Sequence, residues 1–204
     1  MNIGGKQFDT ENNTYIMGIL NVTPDSFSDG GRYNNMEAAL RHAEQMVREG
    51  ADILDVGGES TRPGHIQITD EEEAARVVPV IRALKKEFDV PVSIDTYKSR
   101  VAEAALDAGA DLVNDIWGLK YDDRMAEVIA GYHAACCLMH NRDTAVYREF
   151  LPDFMEDMRQ CVRLARDAGI REDGICLDPG VGFGKTYEMN LEIIDRLEIM
   201  HELG

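Results

Sequence analysis

Long apolar runs, disulfide motifs and basic residues are all scarce in this sequence of 204 residues. No stretch approaches the roughly 20 apolar residues of a membrane span, and the first residues lack a signal peptide's apolar core. The four cysteines form no C-x-x-C motif, which predicts reduced thiols in the core. We therefore expect a soluble, cytoplasmic protein that forms a single domain over residues 1–204.

Positive charge is outnumbered: 21 Lys and Arg residues stand against 38 Asp and Glu residues, giving a formal net charge of −17. Nucleic acids and anionic membranes bind to basic surfaces, so this composition argues against both kinds of partner. A small anionic ligand would need a bound cation, local arginines or helix N-termini to offset the negative field. The expected partners are therefore small molecules.

One pattern fills the chain after a lead-in that contains Gly4 and Gly5 and predicts a small hairpin. A short apolar run ends in a polar residue, a loop follows, and a segment with helical spacing comes next. Strands are predicted near 15–20, 53–56, 91–94, 112–113, 134–138 and 174–177. Helices are predicted near 36–49, 70–88, 99–108, 122–131, 151–168 and 187–203. This alternation predicts a parallel α/β fold.

Two parallel architectures fit this alternation, an open doubly wound sheet and a closed (β/α)8 barrel. The first loop has no tight G-x-G-x-x-G turn, and GVGFGKT at residues 180–186 lacks the spacer of a phosphate loop. Polar residues follow several strands, as they do where barrel enzymes build their sites. We predict a TIM (β/α)8-type barrel with about six of its eight units in this chain.

Three acceptor-rich side chains, Asp95, Asn114 and Asp178, stand at the ends of predicted strands. In a barrel they would share one mouth and could bind a flat heterocycle that carries amino and oxo groups. Each of them alone is equally well explained as a loop or helix cap. Met139 and Phe183, near the same mouth, are predicted either to wall a ring or to pack in the core.

The first loop is long and polar, which is typical of functional loops rather than of ordinary connections. Asn21, before this loop, is a neutral oxygen ligand suited to Mg²⁺ that takes its other ligands from water and a diphosphate. Asp25 in the loop is available to a cation or a ligand. Thr61 and Arg62 in the second loop are predicted to bind an anion, because a guanidinium forks onto phosphate oxygens.

Five stretches together indicate a family. They are MGILNVTPDSFSDGG at 17–31, DVGGESTRPG at 55–64, SIDT at 93–96, VNDI at 113–116 and LDPGVGFGK at 177–185. The sequence resembles dihydropteroate synthases over essentially its whole length, and the first two stretches are the most specific. The resemblance implies a TIM-barrel transferase of folate biosynthesis and a sulfonamide target. It would join 7,8-dihydropterin-6-ylmethyl diphosphate to 4-aminobenzoate, giving 7,8-dihydropteroate and diphosphate.

The resemblance also implies substrate-binding roles. Asp95, Asn114 and Asp178 would hold the pterin ring, with Met139 beside them. Asn21 would coordinate Mg²⁺, the one cofactor that the resemblance implies.

Two catalytic residues are implied in the same way. Thr61 would contact the diphosphate-bearing end, and Asp25 would lie near a pterin-methyl cation formed when diphosphate leaves first. The walls of the aminobenzoate pocket would be Phe27, Thr61, Arg62, Pro63 and Phe183.

The length departs from the family pattern, because a (β/α)8 barrel typically needs about 250 residues. The family's lysine on the seventh strand and its arginine and histidine near the eighth have no counterpart here. We therefore expect a fragment of a longer protein, with impaired activity on its own. The homodimer typical of the family would use helices of the absent part and is not expected for this chain.

Two other functions stay open. The chain could be a non-catalytic pterin-binding module or a subunit completed by another chain. It could also be a pterin-binding methyltransferase domain of the methyltetrahydrofolate type, which shares acidic and asparagine ring contacts. Such a methyltransferase should lack the loop TPDSFSDGG at residues 23–31.

Overall fold

The computed structural model describes residues 1–22, 32–59 and 67–203, without the side chains of 32–35. The chain opens with an antiparallel hairpin of β1 (Asn2–Ile3) and β2 (Lys6–Gln7). Gly4 and Gly5, between them, have φ values of +58° and +79°. A two-residue hairpin turn of this kind needs positive φ at both positions, which glycine adopts without strain. The hairpin prediction is confirmed.

Six strand-and-helix units follow. The strands are β3 (Met17–Asn21), β4 (Ile53–Gly57), β5 (Val92–Asp95), β6 (Leu112–Asp115), β7 (Ala135–Met139) and β8 (Ile175–Asp178). The helices are α1 (Arg32–Glu49), α2 (Asp70–Glu87), α3 (Ser99–Asp107), α4 (Met125–Gly131), α5 (Phe150–Asp167) and α6 (Tyr187–Asp195). The predicted last helix is shorter than expected, because Arg196 leaves helical geometry and a 3₁₀ helix, Leu197–Leu203, completes the segment.

The six strands form one parallel sheet in the order β3-β4-β5-β6-β7-β8. The chain order is kept throughout, whereas a doubly wound sheet reverses its strand order at a switch point. A barrel grows by adding each new strand beside the previous one. The barrel-type α/β prediction is therefore confirmed for six units.

The two faces of the sheet have different partners. The strand residues that pack against the helices include Val56, Ile94, Val113 and Leu138, all fully buried. Side chains alternate between faces along a strand, so the residues between them line the barrel interior. At the amino ends of the strands this interior is apolar, and Ile3 and Phe8 from the hairpin region cover Ile53 and Leu112 there. The carboxyl ends are left for polar side chains.

Two predictions from composition can be compared with the described part of the chain. The cysteines are free thiols: Cys136 and Cys161 are buried, while Cys137 and Cys176 are partly buried register partners on β7 and β8. The prediction of unpaired thiols packed in the fold is confirmed. Among the described helices, none combines the length and the apolar character that a membrane crossing requires.

The start of α2 supplies a test of local stability. Thr69 Oγ1 accepts a hydrogen bond from the Glu72 backbone N–H at 3.1 Å, so Thr69 is the N-cap of α2. Replacing Thr69 with Ala should lower the free energy of unfolding by about 1 kcal/mol, because that N–H loses its partner. Urea denaturation measures the change. Thr69→Ser keeps the hydroxyl and should keep most of the stability; an equal loss in both variants would contradict the capping role.

Candidate active site

Strand register places three of the predicted binding residues in one line across the sheet. Asn21 pairs with Gly57, Gly57 pairs with Asp95, and Asp95 pairs with Asn114. Register partners on neighbouring strands share a face, and this face is opposite the helices. A Cβ atom on Gly57 would lie 3.1 Å from Asn21 Oδ1 and 3.5 Å from Asp95 Oδ2. Both side chains therefore converge above this glycine at the carboxyl ends of the strands.

Asp178 belongs to the same face. Asn114 is in register with Cys137, and Cys137 with Cys176. Asp178 lies two residues after Cys176, so it faces the same side one layer further towards the strand ends. Its Oδ1 accepts from the Gly180 backbone N–H at 2.7 Å, so Asp178 also caps its own loop, as the simpler interpretation proposed. The four polar strand-end residues predicted from the sequence are thus brought to one face.

An apolar cluster lies at the same ends of the strands. Met139, the last residue of β7, is 5% exposed and clusters with Tyr97 and Ile116, and Phe183 and Trp117 pack against them. Met139 and Phe183 therefore pack together and still lie at the strand ends, so both interpretations of them fit. Tyr97, Ile116 and Trp117 were missed, because an apolar residue after a strand gives no sign of which loop it will contact.

A second polar layer lies one step closer to the amino ends of the strands than the row formed by Asn21, Gly57, Asp95 and Asn114. It was not predicted from the sequence. Asp55 and Ser93 are register partners with exposures of 4% and 0%. Asp55 Oδ2 accepts from Asn114 Nδ2 at 3.3 Å. Asp55 Oδ1, Ser93 Oγ and Asp95 Oδ1 are buried and make no hydrogen bond to any described residue. Buried polar atoms are nearly always paired in proteins, so three unpaired atoms in one place indicate a site that awaits a ligand.

Both buried carboxyl groups have raised pKa values. Burial is the largest cause for Asp55, and side-chain interactions with Ser93 and with Asn114 oppose it. Burial is also the largest cause for Asp95, and the negative charge of Asp55 adds to it, so the pKa of Asp95 lies well above 3.8. This layer is rich in acceptors and short of donors and positive charge. Asp95, at the end of its strand, can therefore accept from a ligand that presents N–H groups.

The loop after β8 is held by a lysine that sequence reasoning included only as part of a motif. Lys185 Nζ donates to Gly180 O at 2.9 Å, to Phe183 O at 3.0 Å and to His140 Nδ1 at 3.0 Å. The fully buried His140 contacts Asp157 Oδ2 through Nε2 at 3.0 Å. Gly180 has a φ of +66°, and a Cβ there would collide with His140 O, so this turn requires glycine. Lys185 thereby fixes the loop that carries Phe183.

Lys185 should titrate at an unusually low pH. Burial lowers its pKa from 10.5 to about 8, although the charge of Asp178 acts in the opposite direction. The unfolded chain then binds more protons than the native protein between these pH values, so the free energy of unfolding should rise as the pH increases through this interval. Side-chain ¹³C NMR of labelled lysines measures the titration, and Lys185→Arg assigns the signal. A Lys185 signal that titrates at the ordinary lysine pKa would contradict the prediction.

A buried ionic cluster lies beside the end of β4. Lys98 Nζ donates to Glu59 Oε2 and Glu73 Oε2, both at 2.7 Å, and to Ile68 O at 2.8 Å. The Lys98, Glu59 and Glu73 side chains are only 5%, 3% and 2% exposed. The Tyr97 hydroxyl donates to Glu59 Oε1. The cluster therefore ties the end of β4 to α2 and to the segment after β5.

Five predicted site residues lie outside the described residues: Asp25, Phe27, Thr61, Arg62 and Pro63. Their assigned roles stay predictions. The described remainder of the predicted site consists of Asn21, Asp95, Asn114, Met139, Asp178 and Phe183.

Comparisons with known proteins agree with this geometry. The family described as pterin binding enzyme matches residues 17–204. A dihydropteroate synthase of Clostridium beijerinckii is 57% identical over 204 residues, which cover all of this chain and 76% of the relative.

Two solved structures extend the comparison. Dihydropteroate synthase from Clostridium difficile, crystallised in the presence of pteroic acid, matches with a TM-score of 0.94 at 52% identity, covering 97% of this chain and 76% of that one. The Xanthomonas albilineans enzyme with 4-aminobenzoic acid matches with a TM-score of 0.88 at 40% identity, covering 95% and 71%. The fold and the site thus define a pterin-binding enzyme on a TIM-barrel sheet. The chain belongs to the dihydropteroate synthase family of transferases in folate biosynthesis, which confirms the resemblance.

Proposed function

We propose that the protein joins 7,8-dihydropterin-6-ylmethyl diphosphate to 4-aminobenzoate. The bond between the methylene carbon and the diphosphate oxygen breaks, a bond from that carbon to the arylamine nitrogen forms, and the amine releases one proton. The observation that carries the proposal is the buried Asp95 Oδ1 at the end of β5, which has no hydrogen-bond partner among the described residues and lies on the same face as Asn21, Asn114 and Asp178. The pteroic acid and 4-aminobenzoic acid named with the two related structures support it.

The pterin ring is held by groups that match its edges. Its ring N–H and exocyclic amino groups donate to Asp95 and Asp178, while Asn114 both accepts and donates. Met139 and Phe183 pack against the faces of the ring. The ring therefore gives Asp95 Oδ1 the partner that it lacks among the described residues, so its binding relieves a cost of the free protein.

Mg²⁺ is the proposed cofactor, and Asn21 is its proposed protein ligand. The Asn21 side-chain oxygen faces the mouth beside Gly57, where one neutral oxygen fits a hard cation that keeps most of its waters. When bound, the ion neutralises charge on the departing diphosphate. The net charge of −17 makes such local compensation necessary for a diphosphate ligand.

The remaining residues complete the proposal. Asp25 and Thr61 act near the reacting carbon and the diphosphate, with departure of the diphosphate preceding attack by the amine. Phe27, Arg62, Pro63 and Phe183 form the aminobenzoate pocket with Thr61. The free cysteines fit a reducing compartment, so the proposed location is the cytoplasm.

Calorimetry and a turnover assay on the same chain test the proposal. The pterin diphosphate should bind more tightly with Mg²⁺ than without it, and 4-aminobenzoate should then give dihydropteroate. Asn21→Ala should weaken Mg²⁺-dependent binding of the diphosphate but spare 6-hydroxymethylpterin, which lacks the diphosphate. Binding without turnover would favour the non-catalytic module, and no binding of either pterin would overturn the proposal.

A further inference from the structure

The presence of Asp55 in the core is not explained by a contribution to the stability of the fold. Its side chain lies in the middle of β4, its residue is 4% exposed, and it forms no salt bridge with any described lysine or arginine. Its Oδ1 is buried without a hydrogen-bond partner among the described residues. Burying a carboxyl group in this way is unfavourable. A residue that costs stability in this position is expected to serve the site above it.

Asp55 makes a side-chain hydrogen bond with Asn114. Asn114 Nδ2 donates to Asp55 Oδ2 at 3.3 Å. Among the described residues, Asn114 makes no other side-chain hydrogen bond. A carboxylate accepts but does not donate, so it can pair only with the NH₂ end of the amide. The carbonyl oxygen of Asn114 and its second N–H then remain for the mouth.

Asp55 lies too deep in the sheet to contact a ligand at the strand ends directly. Asp55 lies two residues before Gly57 on β4, one layer below the row that contains Asp95 and Asn114. Its influence therefore passes through the amide that it contacts. An amide rotated by half a turn would present its donor where its acceptor now stands.

A heterocycle with an amino group beside a ring nitrogen presents a donor next to an acceptor. The 2-oxo analogue presents the reverse, an acceptor next to an N–H donor. An amide in one fixed orientation pairs with one of these edges, whereas an amide free to rotate pairs with both. Selectivity between the two ligands thus reports whether the amide is fixed.

We propose that Asp55 is a positioning residue that locks the amide of Asn114 and so makes the site select a 2-amino heterocycle over its 2-oxo analogue. This inference rests on the proposed function, because it assigns the basis of ring selectivity in the same site.

The test compares 6-hydroxymethylpterin with 6-hydroxymethyllumazine, its 2-oxo analogue, by calorimetry. Wild-type protein should prefer the pterin by about tenfold or more, because the wrong edge leaves buried polar groups unpaired. Asp55→Asn keeps nearly the same shape, but the new amide can either accept from Asn114 or donate to it. Both amides can then turn over together, so the orientation of Asn114 is no longer fixed. This variant should lose most of the preference, with weaker pterin binding and stronger lumazine binding. Asp55→Ser serves the same purpose if Asp55→Asn does not fold.

Asp111→Ala is the matched control. Asp111 lies at the amino-terminal end of the sheet, where its Oδ2 accepts from Val92 N at 2.8 Å and from Lys85 Nζ at 2.7 Å. Its loss should lower stability without changing the ligand preference. An unchanged preference in Asp55→Asn, or an equal loss of affinity for both ligands, would overturn the inference. Failure of the wild-type protein to bind either ligand would instead overturn the proposed function.

Discussion

Replacing Asp95 with Asn should weaken pterin binding by about a hundredfold or more, because a site built to accept N–H groups would lose its charged acceptor. The same change should leave the free protein at least as stable as before. Asp95 Oδ1 is buried without a partner among the described residues, and removal of its charge removes a desolvation cost. Calorimetry with the pterin and urea denaturation of the free protein measure the two effects.

The pH dependence of stability gives a sharper version of this test. The native pKa of Asp95 is well above 3.8, so the native state binds more protons than the unfolded state between these values. The free energy of unfolding therefore falls as pH rises through that interval. Above the native pKa of Asp95, the full loss of stability caused by its buried charge is present. The stability advantage of Asp95→Asn should accordingly be largest above that pKa and vanish in acid.

Asp115→Asn is the matched control for Asp95→Asn. Asp115 is also a buried strand-end aspartate, but its oxygens accept from the Trp117 and Leu119 backbone N–H groups, both at 2.8 Å. Its replacement should cost stability, because one carboxylate oxygen becomes an amide nitrogen that cannot accept. Pterin binding by the folded fraction should persist. Equal losses of affinity in the two variants would refute the assignment of Asp95 to the ring.

Replacing Lys98 with Met should lower the free energy of unfolding by about 3–5 kcal/mol, since it removes the ammonium group that two buried carboxylates share. Glu59 and Glu73 each accept from Lys98 Nζ at 2.7 Å. Burial raises the pKa of Glu73 despite its hydrogen bond with Lys98, whereas in Glu59 the hydrogen bonds from Lys98 and Tyr97 outweigh burial and hold the pKa below 4.5. Urea denaturation near neutral pH measures the loss.

Two further variants separate the charge effect from simple truncation. Adding Glu59→Gln and Glu73→Gln to Lys98→Met should recover much of the stability, because the two carboxylate charges that Lys98 had neutralised are then removed as well. Lys85→Met removes the more exposed ion pair with Asp111 and should cost about 1 kcal/mol or less. A loss for Lys98→Met no larger than that for Lys85→Met would show that the buried cluster adds no net stability.

The fold was predictable because a parallel strand-and-helix unit repeats one pattern of apolar and polar residues. The pattern predicts the ends of helices least well, because those ends depend on packing with other parts of the chain. α1 begins at Arg32, before the apolar spacing that starts at Met36 becomes visible. At the other end, the segment after Asp195 keeps an apolar content that suits a helix, but it tightens into 3₁₀ geometry.

The candidate site was predictable only where it lies at the ends of strands. Asn21, Asp95, Asn114 and Asp178 stand at the junction of an apolar run and a polar loop, which is a visible signal. Asp55 lies inside a strand whose other residues are apolar or glycine, and its partner Asn114 lies 59 positions away. Only the register of β4, β5 and β6 brings that pair together, and register depends on packing that no local pattern records.

The hairpin at the start of the chain has a kinetic consequence. Because Ile3 and Phe8 cover the interior of the sheet at its amino-terminal end, we expect substrates to enter and products to leave at the carboxyl ends of the strands. If the proposed function is correct, the pterin must bind in the deeper part of the site before the arylamine binds above it. The finished dihydropteroate then obstructs the next pterin until it leaves, so the product should act as a competitive inhibitor of the first substrate.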